Sequence, residues 1–140
     1  MKKILCLALS IILLLGCVCT LASCGKKAKI VGTYEMVSIE GTVTYNGVTT
    51  KLDEDLYEYY RIILNEDGTA VVEAKAKNNT TKIEQEGEWE YKNGVIKLKS
   101  SPMGVTVVEE LQWDDGIITY EATQNAQGMN ISMKIKLEKQ

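Results

Sequence analysis

The stretch Met129-Asn130-Ile131-Ser132-Met133-Lys134-Ile135-Lys136-Leu137-Glu138 decides the fold class. Met129, Ile131, Met133, Ile135 and Leu137 alternate with polar residues. Successive side chains of a strand point to opposite faces, so this is a strand with one buried face. The same period recurs upstream. Ala70, Val72, Ala74 and Ala76 alternate with Val71, Glu73, Lys75 and Lys77; Val105, Val107, Glu109, Leu111 and Trp113 share one face of another run, and Ile118, Tyr120 and Ala122 one face of the next. Asn46-Gly47, Asp67-Gly68, Asn93-Gly94 and Asp115-Gly116 punctuate these runs, and such dipeptides supply the positive φ of tight hairpin turns. Strands are expected near 31–40, 42–46, 48–52, 58–65, 69–77, 81–91, 95–100, 104–113, 117–124 and 129–138.

Only Leu52 to Tyr60 breaks the period. Leu52, Leu56 and Tyr59 or Tyr60 fall at helical spacing, and Asp53, Glu54 and Asp55 sit where the positive end of a helix dipole favours acid, so one or two helical turns are expected. The one proline, Pro102, falls in a loop where its missing donor costs nothing. Eight to ten strands joined by adjacent hairpins make a meander. A flat sheet of that size leaves two edges open to pairing, and closure removes them. The expectation is therefore an all-β domain over residues 30–140, an antiparallel up-and-down β-barrel with one short helix.

Composition narrows function mainly by exclusion. The chain has 140 residues, which fits one small domain. It contains no histidine, and its four cysteines, Cys6, Cys17, Cys19 and Cys24, all precede the body. The body thus has no thiol or imidazole with which to assemble a zinc site, a cysteine nucleophile or a serine–histidine relay. No enzymatic activity, cofactor or metal is expected. With a net charge of −3, one arginine and no basic stripe, no nucleic-acid partner is expected either.

The first residues read as an address. Met1-Lys2-Lys3 gives a positive start and Ile4 to Thr20 an apolar run of signal-peptide length. Leu21-Ala22-Ser23-Cys24 then resembles the bacterial lipobox. That resemblance implies removal of residues 1–23 as a lipoprotein signal peptide, acylation of Cys24, and anchoring at the extracytoplasmic face of the bacterial cell membrane through membrane lipid, two acyl chains being enough for stable attachment. Residues 24–29 would form a short lipid-anchored tether. Its lysines, Lys26, Lys27 and Lys29, either approach anionic headgroups or are simply solvated.

The body resembles the small lipocalin-like domains of bacterial lipoproteins. Val31-Gly32-Thr33-Tyr34-Glu35-Met36-Val37-Ser38 is similar to their first strand, Leu64-Asn65-Glu66-Asp67-Gly68-Thr69 to their Asp-Gly-Thr hairpin, and Gly87-Glu88-Trp89 to their Gly-x-Trp strand. The resemblance implies an antiparallel barrel, present as a monomer, whose interior or open mouth holds a small hydrophobic ligand, apolar or amphipathic.

Within that frame Tyr57, Tyr60 and Arg61 are candidates for an aromatic and cationic rim, since tyrosine offers apolar area with a polar tip. The competing reading is ordinary strand alternation, with Tyr60 and Ile62 on one face and Tyr59, Arg61 and Ile63 on the other. Trp89, Trp113, Met103, Met129 and Met133 are core candidates first, and the methionines also suit an adaptable pocket; Trp89, Met129 and Met133 are the ligand-binding candidates among them. Glu109 with Glu110, and Glu86, Glu88 and Glu90, form carboxylate sets. The last three share the face opposite Gly87, Trp89 and Tyr91, most simply the solvent face. The alternative function is a non-enzymatic cell-envelope interaction module with a filled barrel core.

Overall fold

The computed structural model of the protein describes residues 25–126 and 128–140. The chain divides into a unit ending at Ile30 and a second unit, Val31–Gln140. The expected signal peptide and Cys24 lie outside the described residues; residues 25–30, where most of the tether was expected, are helical.

The second unit holds nine strands: β1 (Gly32–Tyr45), β2 (Val48–Leu52), β3 (Tyr57–Leu64), β4 (Thr69–Ala76), β5 (Lys82–Lys92), β6 (Val95–Ser100), β7 (Val107–Asp114), β8 (Ile117–Ala126) and β9 (Met129–Lys139). From β3 to β9 each strand pairs antiparallel with the next. Strand β1 pairs with β3 through Gly32–Glu35 and with β9 from Tyr34 to Tyr45, closing an eight-stranded ring. Strand β2 stands outside this ring, forming a hairpin with residues 41–45 of β1. The fold is the all-β, antiparallel, up-and-down barrel that the hairpin pattern implies.

Three local expectations are corrected. The break expected at Gly41 is absent, because the missing Cβ lets β9 approach: a Cβ there would lie 2.7 Å from Met133 Cα. The helical segment expected from Leu52 to Tyr60 contracts to a single 3-10 turn, Glu54–Leu56, capped by Asp53 Oδ1 accepting from the Asp55 amide at 3.0 Å. Strand β3, expected near 58–65, begins at Tyr57, so Tyr57, Tyr59 and Tyr60 all lie on it, since aromatic side chains pack well on a pleated surface. A second 3-10 turn spans Pro102–Gly104 and leaves Met103 fully exposed rather than in the core.

The two ends of the barrel differ. One carries the Asp67-Gly68, Asn93-Gly94 and Asp115-Gly116 hairpins, and its interior is sealed. Tyr34, Leu64, Ala70, Ile96, Leu111, Ile118 and Leu137 are all essentially inaccessible there. Each fully buried leucine or isoleucine contributes about 2 kcal/mol. Trp113 Nε1 donates to Tyr34 Oη at 3.0 Å, and the Tyr91 and Trp113 rings meet edge-to-face at 5.8 Å, so the polar tips in this plug are satisfied. At the other end the strands are joined by 77–81, 101–106, Asn46-Gly47 and the β8–β9 connection.

Candidate functional site at the open end

Strand alternation carries the inner face from the sealed end to the open one, and solvent access rises along it. On β5 the inner face runs from Trp89, 5% exposed, to Ile83, 63% exposed and paired with the buried Ala74. On β9 it runs from Leu137 at 0% to Met129 at 38%, and on β7 from Leu111 at 1% to Val107 at 38%. The open end therefore presents Ile83, Val107 and Met129 to solvent, with Gln85, Ser100 and Gln124 also on its inner face.

A polar cluster interrupts that face. Glu109 stands on the inner face of β7 between Val107 and Leu111, and Tyr120 of β8 donates to its Oε1 at 2.9 Å. Tyr60 of β3 faces the same interior. Burial, then the negative charge of Glu109, then Tyr57 push its phenol up to about 12. Tyr120 is raised as well, first by burial and next by the hydrogen bond to Glu109. In both cases a phenolate is disfavoured in an apolar setting beside a carboxylate. The Tyr57 and Tyr60 rings lie 6.1 Å apart, edge to face.

Beside these tyrosines the barrel wall is split. Strand β1 pairs with β3 as far as Glu35↔Arg61 and with β2 from Gly41↔Leu52, leaving 36–40 opposite the 3-10 turn and the start of β3. A cleft of about 270 Å³ there is lined by inward Met36 and Tyr60 and outward Val37 and Tyr59, among others.

The structure brings some of the expected site residues together and separates others. Tyr57, Tyr60 and Met133 belong to the open half, and Met129 to its rim. Trp89 lies deeper, buried, with Nε1 donating to the Asn65 carbonyl at 2.9 Å. Arg61 is on the outer face. Its guanidinium pairs with Glu73 and lies 5.0 Å from the centre of the Tyr59 ring. Lys82 holds the other Glu73 oxygen at 2.7 Å, and these two cations keep that carboxyl below the usual range. Glu86, Glu88 and Glu90 are exposed on the outer face. The acidic run at 53–55 is occupied by its own turn and by the Lys77–Asp55 ion pair at 2.6 Å.

Glu109 and Tyr120 were absent from the site expected from sequence, although the signal was there: each holds an inward position in an otherwise apolar alternation. Fold and site together define a closed antiparallel barrel, sealed at one end, with a mouth at the other that bears apolar side chains, tyrosines and a carboxylate. Compared with protein-family models, curated proteins and solved structures, the chain matches none.

Proposed function

We propose that this chain is a lipid-anchored extracytoplasmic lipoprotein whose lipocalin-like barrel, without enzymatic activity, holds a small apolar or amphipathic molecule at its open end. The observation that carries the ligand reading is the asymmetry of the inner face. Sealed at one end, it leaves Ile83, Val107 and Met129 accessible at the other, where burying a ligand's apolar surface recovers the hydrophobic free energy these side chains forgo. The tyrosines favour this reading over docking of an envelope protein. Tyr60 turns inward, and Tyr59, which turns outward, lies under Arg61. The address rests on Leu21-Ala22-Ser23-Cys24.

Native mass spectrometry of residues 26–140 after exposure to a bacterial lipid extract tests the ligand reading. A retained small-molecule adduct, lost when Ala122→Trp fills the mouth beside Met133, is expected; recovery of unliganded protein alone would overturn it. For the anchor, Cys24→Ser is expected to abolish labelling by a palmitate analogue and to leave the precursor uncleaved. Unchanged processing would refute the lipobox assignment.

A further inference from the structure

The polar cluster at the mouth has a sign. Among the described residues Glu109 enters no ion pair, and unlike other glutamates that enter none, such as Glu86, Glu88 and Glu90 on the outer face, it points into the barrel; Glu58, Glu73, Glu84, Glu110, Glu121 and Glu138 each pair with a lysine or arginine. The reason is topological. The paired lysines of the barrel strands, such as Lys75, Lys97 and Lys134, occupy outward positions, so strand alternation keeps them from the interior. Tyr120 supplies one donor to Oε1, while a carboxylate accepts several hydrogen bonds. The charge of Glu109 reaches Tyr60, whose ring lies edge-to-face with that of Tyr57. A carboxylate with spare acceptor capacity, aromatic rings beside it and apolar side chains around it match one chemistry: an ammonium carried on an apolar body.

We infer that the open end selects a cationic amphiphile, an amine or ammonium group on a short apolar chain or ring, with Glu109 as its counter-ion and the Tyr60 ring as its aromatic neighbour. This rests on the ligand-binding reading above and narrows it. An ammonium donates to the carboxylate in a charge-assisted hydrogen bond and is attracted by the face of a tyrosine ring. A fatty-acid carboxylate would instead meet like charge, and a neutral alcohol would gain a weaker hydrogen bond.

The test uses full-length protein in lipid nanodiscs, titrated calorimetrically near neutral pH with n-octylammonium, 1-octanol and octanoate, with empty nanodiscs as the blank. The three probes share a chain and differ in headgroup. Octylammonium is expected to bind roughly tenfold more tightly than octanol, and octanoate most weakly. Glu109→Gln is expected to bring the first two affinities together, whereas Tyr120→Phe, which keeps the carboxylate, retains the preference for the cation. Equal binding of octylammonium and octanol by the unmodified protein, tighter binding of octanoate, or an ammonium preference that survives in Glu109→Gln would overturn the cation assignment and leave the apolar pocket standing. If none of the three binds above the blank, the ligand-binding reading falls with it.

Discussion

Tyr60 and Glu109 show how far single residues were legible. Alternation with Ile62 and Leu64 places Tyr60 inside and Arg61 outside, and alternation with Val107 and Leu111 places Glu109 inside. Their mutual proximity was not legible, because it depends on how many strands separate β3 from β7 around the ring. The burial of Tyr60, with that proximity added to it, has a pH signature. The Tyr60 phenol is raised from 10.0 to about 12, so the folded state keeps its proton after the unfolded chain has begun to lose it. Stability is fully present below about pH 10 and is lost as pH rises from there to about 12, on the order of 2 kcal/mol for this residue. Thermal melts across that range are expected to show Tyr60→Phe losing less stability than the unmodified protein. Ultraviolet titration is expected to show its absence among the late-ionising phenols. Equal losses would mean that Tyr60 is not shielded.

Among the elements, β1 and the segment after β2 departed most from the sequence pattern. Glycine inside an apolar run reads as a strand end, yet Gly41 is where β1 and β9 come closest, and its φ of +147 is a conformation that other residues rarely adopt. Leu52, Leu56 and Tyr60 at helical spacing compete with the alternation of Tyr60, Ile62 and Leu64, and pairing with β4 decides for the strand from Tyr57 onward. Gly41→Ala is expected to cost about 3 kcal/mol, because the new methyl must displace the β9 backbone as well as accept the strained φ. Gly47→Ala, in the exposed β1–β2 turn with nothing within 4 Å, is expected to cost only about 1 kcal/mol. Urea midpoints of the two variants check this. Comparable midpoints would mean that β9 yields easily at Ser132 and Met133.

At the scale of the whole molecule, barrel closure was legible because a meander of this many strands has two edges to hide. Which inner positions stay open to solvent was not, since accessibility depends on three glycine hairpins gathering at one end while the two longest connections, 77–81 and 101–106, fall at the other. Closure also brings the ends of the barrel unit together: the Gln140 amide donates to the Thr33 carbonyl at 3.0 Å, and Lys139 pairs with Tyr34. A ring of strands has one pairing distant in sequence wherever the chain is cut, so moving the cut relocates that pairing without adding another. The 102–104 turn is the suitable new opening. Met103 is fully exposed there and holds a positive φ of 53° without the freedom of glycine, so cutting relieves strain and breaks no strand pairing. A circular permutant beginning at Gly104, with Gln140 joined to Val31 through a short glycine–serine linker, is expected to fold to the same barrel. Its refolding rate should stay within about tenfold of that of the 31–140 unit in its natural order. Circular dichroism and stopped-flow refolding measure this. A permutant that stays unfolded, or that refolds far more slowly, would show that the β6–β7 connection acts as an obligatory nucleus and that the ring is not interchangeable around its circumference.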